Sequence, residues 1–201
     1  NQCTGLKSII IPDSVASIGI GAFSGCSSLT NITIPDTVAY IGRAAFSGCS
    51  SLTNITIPNR ITSIEPYTFN GCSSLISIRI PNTVTSIGER AFSFCWNLRS
   101  VRFSDNLEKI GALAFSHCDD LTELHLPKSI NSIGTDAFLG KINSDDSSKE
   151  YYLVDGVYAL KGSYPAKYIK SIGLNYIDSS PTLTNVKAGV TITDVENVIP
   201  D

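Results

Sequence analysis

The sequence predicts an α/β repeat solenoid, a stack of coils that each contribute one short parallel strand, closed at the C-terminal end by a helix and a strand. Three observations carry this. Cys3, Cys26, Cys49, Cys72, Cys95 and Cys118 follow one another at a constant step of 23 residues. Phe23, Phe46, Phe69, Phe92, Phe115 and Phe138 keep the same step, and so do Leu6, Leu29, Leu52, Leu75, Leu98 and Leu121. Apolar columns at one fixed period of roughly 20 to 29 residues are the mark of stacked supersecondary units that bury a continuous core. On this reading residues 1–140 form about six coils, the first incomplete, residues 141–178 a capping segment, and residues 179–201 a linker or the start of a further domain.

Each coil begins with a strand. Ile32, Ile55, Ile78, Val101 and Leu124 form one column, and Ile34, Ile57, Ile80, Phe103 and Leu126 form another two residues on. Branched apolar residues two apart share one face of a strand, so Ile32 and Ile34 point inward while Asn31 and Thr33 point out. Pro12, Pro35, Pro58, Pro81 and Pro127 follow the strand, with Ser104 as the exception. Proline lacks a ladder donor and ends the strand, and an Asp or Asn after it suits a turn that its side chain closes on its own backbone. The column Asp13, Asp36, Asn59, Asn82, Asp105 also resembles a ladder of calcium ligands, but the turn accounts for the same letters without convergent ligands from elsewhere.

The return side carries Val38, Ile41, Ala45 and Phe46 at spacings of three and four, which predicts a short helical or 3₁₀ turn. Gly19, Gly42, Gly88, Gly111 and Gly134 recur after an isoleucine, but Glu65 in the third coil argues against an absolute need for positive φ there.

The cysteines read as a buried thiol ladder, not a disulfide framework. Equivalent residues in adjacent coils stand about 4.8 Å apart with parallel Cβ vectors, whereas a disulfide brings Cβ atoms to about 3.8 Å and angles them together. Cysteine then serves as a small apolar residue at the end of each coil. A zinc site from Cys118 with His117, Asp119 and Asp120 lacks a second cysteine or histidine at ligand spacing. No metal or other cofactor is expected.

The period ends after Phe138. Residues 141–150 read as a polar loop, and Asp155-Gly156 between two apolar runs suggests a tight hairpin. Ser163 is placed to cap a helix over 164–172 that Gly173 stops, and 174–177 reads as a strand. This segment would cover apolar columns and strand edges of the last coil. Ser179-Ser180-Pro181 signals a linker.

Several function classes are disfavoured. A net charge of −3 and no dense Lys/Arg block give no pull toward nucleic acid, and no apolar run is long enough to insert in a membrane. Two histidines without a paired nucleophile or acid, and no phosphate loop, leave no basis for an enzyme. Function is therefore expected where exposed positions break the repeat. The outward strand column runs Ile10, Thr33, Thr56, Arg79, Arg102, His125, and the column three residues before it ends in Ile76, Arg99, Thr122. A bland Thr/Asn surface thus gives way to Arg79, Arg99, Arg102 and His125, with Glu123 nearby, and adjacent strands set Arg79 and Arg102 about 5 Å apart. Trp96 replaces a serine column beside Phe94, either as a contact residue or as a ring folded on the next coil. Tyr40, Tyr67 and Arg43 extend a surface on the return side, and Asn31 and Asn54 open glycosylation sequons that matter only in a glycosylating host.

The unit Ser-Ile-Gly-x-x-Ala-Phe-Ser-Gly-Cys-Ser-Ser-Leu-Thr-x-Ile-Thr-Ile-Pro, as in residues 17–35, resembles the BspA-like, Treponema-type class of leucine-rich repeat. The likeness covers residues 1 to 140, while Phe94-Cys95-Trp96 and His117-Cys118-Asp119 depart from it. It implies a right-handed leucine-rich-repeat coil in an exported protein at the cell surface. Some such proteins are adhesins for matrix proteins such as fibronectin and fibrinogen. The expectation is an adhesin-like module that presents its strand face to a host extracellular-matrix or other cell-surface protein. A passive spacer in a larger envelope protein is the alternative, and glycan binding is favoured only if Trp96 and the tyrosines converge.

Overall fold

The structure, a computed structural model, describes residues 3–140, 156–171 and 177–180. The coils are marked by β1 (Ser8–Ile10), β2 (Ser17–Ile18), β3 (Asn31–Thr33), β4 (Tyr40–Ile41), β5 (Ser63–Ile64), β6 (Ser77–Arg79), β7 (Ser86–Ile87), β8 (Ser100–Arg102), β9 (Lys109–Ile110), β10 (Glu123–Leu126) and β11 (Ser132–Ile133). β12 (Gly156–Ala159), α1 (Tyr164–Ser171) and β13 (Ile177–Asp178) follow. All strand pairings are parallel, as a stack of same-handed coils requires.

The longer strands alternate as the period-two columns dictate. Asn31 and Thr33 are exposed while Ile32 and Ile34 are buried, and the pattern repeats at β6 and β8. The return side follows the expected helical or 3₁₀ turn only in part. Ile41 and its equivalents lie in two-residue strands, and β5, β7, β9 and β11 form a second parallel ladder. The turns that follow do contain 3₁₀-type bonds, such as Cys26 N–H to the Phe23 carbonyl at 3.1 Å. Every second N–H instead crosses to the next coil, as from Phe23 to Ala45 at 2.8 Å and from Phe46 to Thr68 at 2.9 Å. The backbone is thereby satisfied half locally and half between coils, so no helix propagates.

After the strand, the turn is closed by backbone, with Val38 N–H bonding the Pro35 carbonyl at 3.0 Å and Leu107 N–H the Ser104 carbonyl at 3.1 Å. The expected side-chain closure appears at Ser104, whose Oγ accepts from Asn106 N–H at 3.1 Å, and not in the Asp/Asn column. Gly42 has no positive φ; a Cβ there would stand 2.7 Å from the Ile20 nitrogen, so close approach of coils selects glycine.

Inside, the phenylalanine rings from Phe23 to Phe138 stack with centroids 5.1 to 5.9 Å apart and planes within 16°. Cys26, Cys49, Cys72, Cys95 and Cys118 are buried free thiols, while Cys3 is exposed. The thiols of Cys49, Cys72, Cys95 and Cys118 donate to the carbonyls of Phe23, Phe46, Phe69 and Phe92 at 3.2 to 3.3 Å. The two ladders therefore lock together, each of these thiols reaching into the preceding coil.

At the C-terminal end β12 lies beside β10, with His125 opposite Tyr158, and β13 lies on the other side of β12. Gly156 opens β12, and the first run of the hairpin expected at Asp155-Gly156 lies outside the described residues. Ser163 Oγ accepts from Ala166 N–H at 3.4 Å at the start of α1, which buries Pro165, Ala166 and Ile169. The Tyr164 hydroxyl accepts from Ile133 N–H at 3.4 Å and the Tyr168 hydroxyl donates to the Gly134 carbonyl at 3.3 Å, so two phenols take the place of a further coil's backbone. The expected loop at 141–150, the stop at Gly173, the strand over 174–176 and the segment from 181 onward lie outside the described residues.

Three outcomes follow from this packing. Phe69→Ala removes a fully buried ring between two stacked neighbours and should lower unfolding free energy in urea by about 3 to 5 kcal/mol. Tyr168→Phe should lower it by about 1 kcal/mol through the carbonyl left without its donor. Burial pushes the Cys49 thiol up to about 12, from an ordinary 9.0, and raises Cys72, Cys95 and Cys118 as well. The unfolded chain then releases protons above pH 9.0 that the native chain keeps. Stability should be level below that pH and fall as pH rises toward 12, a decline that Cys→Ala at position 49 should make shallower.

Candidate functional site

The strand-face ladder is not continuous: the strand expected around Ile55 and Ile57 does not form, and the ladder breaks again between β8 and β10. β6 and β8 form one sheet, β10, β12 and β13 another, and a groove of about 530 Å³ opens where they meet. Its floor is the buried Ile80, Val101, Phe103 and Leu126. Phe103 occupies an isoleucine column and packs edge-on against Phe115 at 5.6 Å, which fixes the floor to the phenylalanine stack.

Above this floor stand Arg79 and Arg102, directly opposite each other on β6 and β8. Like charges in register on adjacent strands oppose sheet formation, and neither guanidinium has an ion-pair partner among the described residues. The far wall is His125, whose ring stacks on Tyr158 with centroids 4.3 Å apart and planes 4° from parallel. Glu123 lies 3.8 Å from His125 Nε2, and Asp105 and Asn82 close the groove on the turn side. The site therefore joins two unneutralised guanidiniums, an apolar floor and an aromatic ledge, a set suited to an acidic segment with an apolar neighbour.

Not every residue expected to share this surface does so. Arg99 Nε pairs with Asp120 Oδ2 at 3.2 Å, so its charge is met within the chain. Trp96 is 52% exposed and makes no ring contact among the described residues, but it lines neither this groove nor the hollow described below. Among the described residues no tyrosine ring contacts Trp96, and Tyr67 and Tyr158 line separate hollows without it. Tyr158 was not singled out by column reading, because the connection after β10 abandons the repeat length that made other contacts visible. Among the described residues no group of His, Cys, Asp and Glu could hold a metal ion, and no helix is long and apolar enough to cross a membrane.

With the repeat geometry established, comparison with known proteins is decisive for family. Residues 1–122 and 91–144 match the BspA type leucine rich repeat region, in six copies. This chain belongs to that family. Among solved structures, a leucine-rich repeat protein from Bacteroides ovatus is similar at 23% identity and a TM-score of 0.59, covering 87% of this chain and 46% of its own. A leucine-rich repeat protein from Eubacterium ventriosum is similar at 23% identity and a TM-score of 0.56, covering 72% and 47%. A leucine rich cell surface protein from Faecalibacterium prausnitzii is similar at 22% identity and a TM-score of 0.51, covering 88% and 61%. At these identities the likeness shows the fold, and this BspA-type chain spans about half the length of the first two structures. No curated protein shows significant similarity to it.

Proposed function

We propose that this BspA-type chain is a non-catalytic, cell-surface protein-binding module, adhesin-like, whose groove between β8 and β10 receives an acidic segment of a host extracellular-matrix or other cell-surface protein. The observation that carries this reading is the Arg79–Arg102 pair, in register, without carboxylate partners, over an apolar floor. Such a pair weakens the sheet and gains only when a ligand brings the opposite charge. The surface location of the Faecalibacterium relative and the repeat family support the outward setting. A spacer role suits the first coils, whose outward column offers Thr33 and Thr56, but it leaves the arginine pair without purpose.

Surface capture on immobilised fibronectin, fibrinogen and laminin at physiological salt tests this. Arg79→Glu with Arg102→Glu should abolish saturable capture, with circular dichroism unchanged, and capture by the native chain should weaken as salt rises. Arg99→Glu should have a smaller effect, because that guanidinium is already paired. Equal capture by the native chain and the double variant would move the contact surface elsewhere.

A further inference from the structure

A second hollow lies on the turn side, away from the strand face. It encloses about 380 Å³ and is lined by Tyr67, Asn70, Arg90, Ser93, Phe94 and His117, among others. Its backbone is unusual in a specific way. Among the described residues, Ala44, Tyr67, Arg90, Phe94, Leu113, His117 and Asp136 have positive φ without being glycine. Five of these, Tyr67, Arg90, Phe94, Leu113 and His117, line this one hollow. At the columns they occupy, earlier coils have Gly21, or Gly25, Gly48 and Gly71, which adopt the same φ without strain. A side chain at left-handed φ opposes folding, and at Tyr67, Arg90, Phe94 and His117 large or charged side chains are kept there nonetheless.

The side chains form a defined set. The half-buried Arg90 guanidinium makes one hydrogen bond among the described residues, from Nη1 to the Tyr67 hydroxyl at 3.3 Å, and has no ion-pair partner there. The Tyr67 hydroxyl in turn donates to Glu89 Oε1 at 3.0 Å, and Arg43 lies over the Tyr67 ring at 4.8 Å, so both guanidiniums gather on one phenol. Ser93 and Ser116 hydroxyls meet at 3.3 Å at the base. Phe94, 42% exposed, stacks on His117 at 4.9 Å to form a flat wall.

We propose that this hollow binds a carboxylate-bearing sugar unit of a glycan, with the carboxylate on Arg90 and the ring against Phe94. A guanidinium with free donors recognises a carboxylate in two-pronged fashion, and the volume suits a single sugar. A sugar is favoured over an acidic peptide because backbone N–H groups here are already used. Those of Arg90, Ser93, Phe94, Ser116 and His117 bond Ala112, Arg90, Ser116, Leu113 and Leu139 carbonyls, so a peptide backbone finds no ladder, whereas a sugar needs only the Arg90 guanidinium and the exposed Phe94 face.

Titration calorimetry of the whole chain with an unsulfated hyaluronan tetrasaccharide, its carboxyl-reduced neutral form and a glutamate-rich pentapeptide tests the site. The native chain should bind the acidic tetrasaccharide saturably and the neutral form about tenfold more weakly or worse. Arg90→Asn, which suits left-handed φ, and Phe94→Gly, which restores the glycine of earlier coils, should each weaken binding about tenfold or more without lowering the thermal midpoint. The Arg79→Glu, Arg102→Glu variant should bind the sugar as the native chain does, which separates this site from the strand-face groove. The assignment is overturned if no saturable binding occurs, if the neutral form binds equally, if the pentapeptide binds more tightly, or if folded Arg90→Asn and Phe94→Gly variants bind unchanged.

Discussion

The constraint on which the rest of the molecule depends is the alternation of hydrogen bonds along the turn side. One N–H closes a local turn and the next crosses to the neighbouring coil, from Gly21 to Arg43, Phe23 to Ala45 and Gly25 to Ser47. Inserting or deleting one residue would exchange these roles and leave buried polar groups unpaired, a penalty comparable to several lost contacts. The same alternation holds the phenylalanine rings at stacking distance and aims the thiols of Cys49, Cys72, Cys95 and Cys118 at carbonyls of the preceding coil. Period, ring stack and thiol ladder are thus one arrangement seen at three depths.

That arrangement leaves limited freedom on either side. On the strand face, outward residues between the inward columns vary without touching the core, and there the bland threonines give way to Arg79 and Arg102. On the turn side, the left-handed columns accept a side chain only against backbone strain, and there Tyr67, Arg90, Phe94 and His117 appear. The arginine pair borders the break between β8 and β10, and the hollow on the turn side spans the third to fifth coils.

The inward columns were legible because strand alternation and the 23-residue step each leave a strong periodic trace in apolar residues. The thiol ladder followed from the same step. Two-residue strands such as Tyr40–Ile41 are too short to show alternation, so their spacing read as helical. Arg99 and Asp120 are 21 residues apart, off the repeat, and column reading left Arg99 unpaired. The stack of His125 on Tyr158 depends on pairing across an irregular connection, to which periodicity is blind. The replacement of Gly25, Gly48 and Gly71 by Phe94 and His117 was visible as letters, but its meaning needs the sign of φ.

The free thiols also bear on how such an array changes in size. A disulfide framework must gain or lose cysteines in matched pairs, or strand a reactive partner. Here the thiols of Cys49, Cys72, Cys95 and Cys118 are satisfied by carbonyls that the stack itself supplies. A whole coil can therefore be duplicated or excised with its cysteine and leave every remaining thiol with the same neighbour relation. Length becomes a freely adjustable quantity, odd or even, in oxidising or reducing surroundings alike.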